Sequence, residues 1–295
     1  MRKQTGTKTS SFGVSKRENH DSSEFYAAKM YEGQKKSKVK YFENIIEENL
    51  KNKILCMDSR DMNGISDSSV HLMVTSPPYN ASKEYDEDLS LEEYLQLLKD
   101  VFKETYRVLV PGGRACVNIA NLGRKPYIPL HSYIIRDMLD IGFLMRGEII
   151  WDKNSTGGSC AWGSWQSASN PTLRDIHEYI MIFSKMNYSR PKEKRNNTIS
   201  KEQFLDYTKS IWTFAAESAR KVGHPAPFPV ELPHRLIELY TFEGDVVLDP
   251  FCGSGTTCLA AFNTKRDYIG IDKSQEYVDL ANERLGKYVN QKKLI

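Results

Sequence analysis

A length of 295 residues with 40% hydrophobic and 27% charged side chains describes a globular chain, not a collagen-like, disordered or coiled-coil one. No apolar run approaches the ~18 residues of a bilayer-spanning helix, and the polar start MRKQTGTKTSSFG lacks the apolar core of a secretory leader. The net charge of +3 is unevenly spread: residues 1–40 hold ten Lys/Arg against four Asp/Glu, residues 185–222 hold nine against four, and the remainder is acidic. A neutral-to-acidic body with two basic segments suits a polyanionic partner gripped at the periphery.

In chain order, residues 1–39 form a basic N-terminal segment with little sign of a core of its own. YFENIIEENL (41–50) has apolar spacing that predicts a short helix. KILCMDS predicts a strand ending at Asp58, and SVHLMVTSPPYN a buried strand from Val70 to Val74 that gives way to a Pro-Pro loop. LSLEEYLQLLKDVFKETYRVL is a predicted helix with Ser90 as N-cap and Glu93 three residues on. Pro111 to Gly113 read as a turn into the strand RACVNIA. YIPLHSYIIRDMLDIGF is a second helix, closed by Gly142. EIIWDK and HEYIMIFSK are strands separated by a polar, Trp-containing loop (153–175).

Residues 187–222 turn polar and basic and read as an insertion. A helix from about Pro233, the strand-turn-helix DVVLDPFCGSGTT, the strand RDYIGIDKS ending at Asp272 and a terminal helix complete the chain. Alternating strands and helices predict an α/β fold with a mainly parallel sheet. The loops at Asp58, Ser76, Asp249 and Asp272 then share the edge where such sheets bind ligands. The cysteines, Cys56, Cys116, Cys160, Cys252 and Cys258, show no CxxC spacing and the six histidines no HExxH, so no metal site is expected and a reducing cytoplasm is the natural setting.

Two motifs carry chemistry. In Val247 to Thr257, Gly253 and Gly255 permit a sharp strand-to-helix turn whose amides face a polar ligand group. Asp272, at the end of the next strand, can accept both hydroxyls of a ribose. The third glycine of a dinucleotide fingerprint and a Walker lysine are absent, which disfavours NAD and ATP. In Thr75-Ser76-Pro77-Pro78-Tyr79, the prolines fix the backbone and leave carbonyls without competing amide hydrogens. Ser76 and the Pro77 carbonyl can accept the hydrogens of a planar amine while Tyr79 stacks on its ring.

Together, Ser76–Tyr79 and Phe251–Gly255 resemble the [D/S/N]-P-P-[Y/F] and F-x-G-x-G motifs of amino-methylating DNA methyltransferases, in the beta order. The resemblance covers roughly residues 40–290, and SKRENHDSSEFY (15–26) is similar to a stretch in some N4-cytosine members. It implies a Rossmann-like fold dependent on S-adenosylmethionine (SAM), with a mixed, mostly parallel sheet flanked by helices and a circularly permuted motif order. It implies a catalytic half at 40–186, a target-recognition insertion at 187–222 and a SAM-binding half at 223–295.

Ser76, Pro77, Pro78 and Tyr79 are then the catalytic set. Asp58, Phe228, Pro229, Asp249, Phe251, Gly253, Gly255, Thr256 and Asp272 are the cofactor set. Trp162, Trp165, Arg190, Lys192, Lys194 and Arg195 are candidate DNA contacts. The SPPY form resembles the N4-cytosine branch, acting by base flipping and direct transfer on double-stranded DNA. A restriction endonuclease sharing the site without being bound is the implied companion, and no membrane is involved. N6-adenine methylation remains open on these four residues, as do RNA or small-molecule acceptors and a non-catalytic nucleic-acid-binding module. A carbon-5 cytosine mechanism needs a nucleophilic cysteine in a Pro-Cys setting, which this sequence lacks.

Overall fold

The computed structural model describes residues 27–32, 39–79, 89–155, 163–217 and 228–292. The chain divides into two units, Met1–Lys38 and Val39–Ile295. The described part of the first holds one 3-10 turn, Lys29–Tyr31. The SKRENHDSSEFY stretch lies outside the described residues.

The described strands of the second unit are β1 (Lys53–Cys56), β2 (Val70–Thr75), β3 (Leu109–Ile119), β4 (Leu122–Gly123), β5 (Tyr127–Ile128), β6 (Phe143–Asp152), β7 (His177–Lys185), β8 (Ile211–Thr213), β9 (Val246–Asp249) and β10 (Asp267–Asp272). Apart from the small β4-β5 ladder, they form one sheet in the order β1-β10-β9-β2-β3-β7-β6-β8. Pairing is parallel from β1 through β3 and between β6 and β8, and antiparallel where β7 meets β3 and β6. The mixed, mostly parallel sheet is the expected one. The last two strands of the chain slot between the first two, so the two halves of the sequence complete a single sheet.

The helices are α1 (Leu91–Val108), α2 (Leu130–Ile141), α3 (Lys201–Tyr207), α4 (Glu231–Tyr240), α5 (Thr256–Asn263) and α6 (Gln275–Lys292). α1 starts at the predicted capping box: Glu93 N–H donates to Ser90 Oγ (3.3 Å) and Ser90 N–H to Glu93 Oε2 (2.9 Å). α2 stops at Gly142, whose φ of 110° is left-handed. Both sheet faces are covered. Met73, Val117, Phe183, Leu248 and Ile271 point toward α1 and α2, while Leu72, Val74, Cys116, Ile182 and Val247 share a core with α4, α5 and α6. Each large side chain so buried contributes about 1.5–3 kcal/mol. A one-residue slip of a strand would exchange its two faces, so this alternation fixes the register that aligns the strand ends.

Three expectations change. Residues 41–50 are helical only at Glu48–Leu50, as a 3-10 turn. Tertiary bonds overrule the local periodicity: Asn44 N–H donates to Ser68 C=O (2.8 Å) and Ile46 is buried. The Pro111–Gly113 segment does not interrupt the chain between helix and strand; β3 begins at Leu109 and bulges through it. A Cβ at Gly112 would lie 2.4 Å from the Ser189 carbonyl, so this glycine serves close backbone approach. The described part of 187–222 is not a detached insertion. β8 extends the main sheet beside β6, and Trp212 is buried in the same core as Trp151.

From β9 the chain crosses through α5 to β10; from β2 it crosses through α1 to β3, on the other face and in the other direction. The order reverses between β9 and β2, and the carboxyl edge of such a point is a ligand crevice.

Candidate active site

At that crevice the end of β2 is tied to the end of β9. Thr75 Oγ1 donates to Asp249 Oδ1 at 2.7 Å, and Phe251 N–H donates to the same oxygen at 3.2 Å. Asp249 is buried, and burial pushes its carboxyl up to about 6 against the opposing pull of the Thr257 and Thr75 hydroxyls. Ser59 Oγ, from the loop after β1, donates to the Pro250 carbonyl at 2.5 Å, holding a third strand end to the same turn.

The turn itself needs glycine. Gly253 and Gly255 have φ of 45° and 75°, and Gly255 is the N-cap of α5. A Cβ on Gly255 would come within 3.0 Å of Ala281 Cβ on α6. Asp272 braces this turn from the end of β10: Oδ2 accepts Gly253 N–H at 3.0 Å and Oδ1 accepts Ser274 N–H at 2.9 Å. Burial raises its carboxyl, opposed by those two amides. Asp58 lies just beyond β1, half-exposed and gripped by Arg60, whose Nε donates to Oδ2 at 2.9 Å. That pairing lowers the Asp58 carboxyl.

Across the crevice, Ser76 to Tyr79 leave β2. Ser76 Oγ lies 3.3 Å from Tyr79 Oη, and Tyr79 Oη donates to Glu178 Oε2 at 3.2 Å. Burial, then the Glu178 charge, push the Tyr79 phenol well above its ordinary value. Asn118, near the end of β3, donates from Nδ2 to Glu178 Oε2 (2.6 Å) and to Ser76 Oγ (3.4 Å). Lys153 Nζ pairs with Glu178 Oε1 at 2.5 Å. Asn118 Oδ1 is buried and has no hydrogen-bond partner among the described residues.

The family model described as DNA methylase, of the N6/N4 methyltransferase type, matches residues 70–283, which takes in both motifs. The chain belongs to the N6/N4 DNA methylase family. It is similar to the type II methyltransferase M.MjaI of Methanocaldococcus jannaschii, at 35% identity over 286 residues, 82% of this chain and 93% of that one. It is also similar to TTHA0409 of Thermus thermophilus, assigned as a DNA modification methylase and solved in complex with S-adenosyl-L-methionine. That match has 32% identity and a TM-score of 0.67, covering 80% of this chain and 93% of that one. The cytosine-N4-specific PvuII DNA methyltransferase shares the fold at 24% identity and a TM-score of 0.61, covering 77% of this chain and 84% of that one.

The fold of this methylase is thus the Rossmann-like one of SAM-dependent DNA methyltransferases. The donor set fits SAM. Each Asp272 oxygen uses one lone pair on the chain's own amides and keeps another for a ribose hydroxyl. Asp58 offers a half-exposed carboxylate at the neighbouring strand end, and the glycine turn brings backbone close to the ligand.

The cofactor residues foreseen from sequence gather as follows. Asp249, Phe251, Gly253, Gly255 and Asp272 surround one turn, with Asp58 one strand further along the edge. Thr256 is turned inward: it is buried, and its hydroxyl accepts from Arg284 Nη1 at 2.9 Å, so it holds α6 against α5. Phe228 and Pro229 lead into α4, where Phe228 packs on the core and the Pro229 carbonyl accepts Leu232 N–H.

Two of the four basic candidates are engaged within the chain. Arg190 is ion-paired with buried Asp245, and Arg195 with Glu43 and Asp245. Asp245 immediately precedes β9, so both guanidiniums lie at the amino ends of the strands, opposite the crevice, where they tie distant segments of the chain together. Lys192 and Lys194, exposed, belong to the same segment. Trp165 is 64% exposed on a loop closed by the Gly163–Pro171 bridge; Trp162 lies outside the described residues. The sequence reading gave Thr75 no role of its own and missed Asn118, Lys153 and Glu178. The available signal was a polar residue breaking an apolar strand at the carboxyl edge, as in VNIA and HEYI.

Proposed function

We propose that this methylase is a site-specific enzyme that transfers a methyl group from SAM to the exocyclic N4 amine of cytosine in double-stranded DNA. The observation that carries the reading is the pairing of two acceptors, Ser76 Oγ and the proline-fixed Pro77 carbonyl, with the Asp249–Gly255 turn across the β9/β2 crevice. The serine at the head of the SPPY motif favours cytosine.

The amine of cytosine is a poor nucleophile because its lone pair is spread into the ring. Acceptors at Ser76 and Pro77 take its N–H groups and favour a pyramidal nitrogen with a localised lone pair. Bound SAM supplies an activated methyl group, so positioning does much of the barrier lowering. Serine is no base at neutral pH, so the amine proton leaves after transfer. No covalent adduct is needed: Cys116, Cys252 and Cys258 are buried, and burial raises each thiol. The target base is flipped from the duplex, at about a few kcal/mol, and stacks on Tyr79. A contact between Trp165 and the opened duplex is part of this reading, and its 64% exposure supports it. The reading extends to a cytoplasmic role in protecting a short site that a companion, unbound endonuclease cuts; the relatives named type II methyltransferases support its methylation step.

The test uses purified protein, unmethylated DNA and isotope-labelled SAM, with the DNA digested to nucleosides and analysed by mass spectrometry. Label in N4-methylcytosine is the expected result. Label in N6-methyladenine keeps the chemistry and replaces the base; an unlabelled digest from SAM-binding protein overturns DNA as the acceptor.

A further inference from the structure

Glu178 is a buried carboxylate that the reaction above does not use, yet three donors converge on it: Tyr79 Oη, Asn118 Nδ2 and Lys153 Nζ. We propose that Glu178 is a positioning residue that fixes the hydrogen-bond polarity of the pocket, so that Ser76 presents a lone pair, not a proton, to the target amine. This rests on the amine-methylating reading above and names how the pocket tells an amine from a carbonyl.

The pocket's hydrogens can be counted one by one. A carboxylate has no hydrogen to give, so Glu178 must accept every bond it makes. Tyr79 has one phenolic hydrogen, and it goes to Glu178 Oε2. Between Ser76 and Tyr79 the donor is then Ser76, whose single hydrogen points at Tyr79 Oη. Asn118 meets Glu178 through its amide nitrogen, which fixes which end of the amide points into the pocket. The second hydrogen of that nitrogen is directed at Ser76 Oγ, at a long 3.4 Å. Ser76 has now given its hydrogen and filled one of two lone pairs. What remains on its oxygen is one lone pair, which accepts an N–H and repels a carbonyl oxygen.

Three further observations fit. The raised Tyr79 phenol stays protonated throughout the working range and so remains a donor. Lys153, paired with Oε1, stabilises the ionised form that the inventory requires. Asn118 Oδ1, buried and without a partner among the described residues, is the side of the amide that the Glu178 contact turns away.

The experiment compares wild type with Glu178→Gln. The variant keeps size but brings a donor amide to Tyr79, which can then send its own hydrogen to Ser76 and reverse the relay. Once the methylated position has been mapped in wild-type product DNA, a short duplex carrying that site is made in two forms. One has the natural target base; in the other its exocyclic amine is replaced by oxygen (uracil for cytosine, hypoxanthine for adenine). Read out are the SAM dissociation constant, the single-turnover methylation rate and the ratio of duplex affinities. The ratio of variant to wild type cancels the different flipping costs of the two duplexes.

The expected result is an unchanged SAM dissociation constant, a rate about 100-fold lower, and an amine-over-carbonyl preference reduced about tenfold. An unchanged preference overturns the proposal whether or not the rate falls, because loss of packing alone slows methylation without altering which edge is accepted. If Glu178→Gln fails to fold, Tyr79→Phe cuts the same relay at the next atom: a reduced preference supports the proposal and a retained one overturns it. Wild type that methylates no DNA overturns the reading beneath, and the proposal with it; wild type active alongside an indifferent Glu178→Gln overturns the polarity role alone.

Discussion

The Thr75 hydroxyl donates to the Asp249 carboxylate at 2.7 Å, and this one bond joins the last residues of two parallel neighbours, β2 and β9, that are 174 positions apart in sequence. The next residue after Thr75 begins the SPPY loop, and the next after Asp249 begins the glycine turn. The bond therefore sets the spacing between the acceptor site and the cofactor turn. A hydroxyl suits this place because it donates to a carboxylate that is otherwise fully out of water, where an unpaired charge is costly.

That burial has a pH signature. The folded Asp249 value, about 6, lies above the ~4 of an unfolded aspartate. Between these values the native state holds a proton that the unfolded state has lost, so this group's contribution to stability falls as pH rises from about 4 to about 6 and stays low above that. Asp249→Asn removes the titration. The difference in unfolding free energy between variant and wild type is expected to shift in the variant's favour across this window, by up to about 3 kcal/mol. Denaturant melts at pH 4, 5, 6 and 7 measure it, and a flat difference would show that the carboxyl titrates normally. Thr75→Val should move the wild-type transition to higher pH, because the lost hydroxyl stabilised the charged form.

On the opposite wall, Ser76→Ala removes one acceptor for the amine while leaving the prolines and Tyr79 in place. The single-turnover methylation rate should fall about 100-fold, with the SAM dissociation constant unchanged, because Asp249, Gly253 and Asp272 belong to a separate turn. A parallel loss of SAM binding would place Ser76 in the cofactor site instead.

The residues readable in the sequence were those whose chemistry is local. The capping box at Ser90, the left-handed stop at Gly142, the apolar run of the buried strand at Val70 and the glycine turn after Asp249 each depend on a few neighbours in the chain, and each is present. The misreadings have a common physical cause in contacts between distant segments. The 41–50 periodicity lost to bonds with Ser68 and Asp67, and the glycines at 112 and 113 answered to Ser189 and His71. Glu178 and Asn118 lie 60 residues apart and meet only because β7 runs antiparallel to β3. A basic stretch was likewise legible as charge, but its acidic partners, Glu43 and the buried Asp245, were not.

Asp272 offers a sharper substitution test than simple deletion. Both of its oxygens accept backbone amides, so Asp272→Asn turns one acceptor into a donor facing Gly253 or Ser274. Asparagine should therefore weaken SAM about as much as alanine does, by at least about tenfold, the effect of one lost hydrogen bond of ordinary strength. Calorimetric titration of SAM into both variants checks this. An asparagine variant that binds like wild type would mean that the carboxylate charge is irrelevant to the turn and to the ribose alike.

Arg190 separates the two meanings of a basic segment. As a partner of buried Asp245, its loss in Arg190→Ala removes the nearest cation of that carboxylate and leaves Arg195 at 3.8 Å, which costs up to about 3–5 kcal/mol. As a phosphate contact, its loss would instead reduce the slope of log affinity against log salt by about 0.9. The ion pair predicts a large fall in the denaturation midpoint and an unchanged salt slope. The double variant Arg190→Met with Asp245→Leu, which removes both charges and keeps volume, should recover much of the lost stability. DNA binding measured across a salt series, beside melts of the same three proteins, decides it: a reduced slope with normal stability would return Arg190 to the DNA interface.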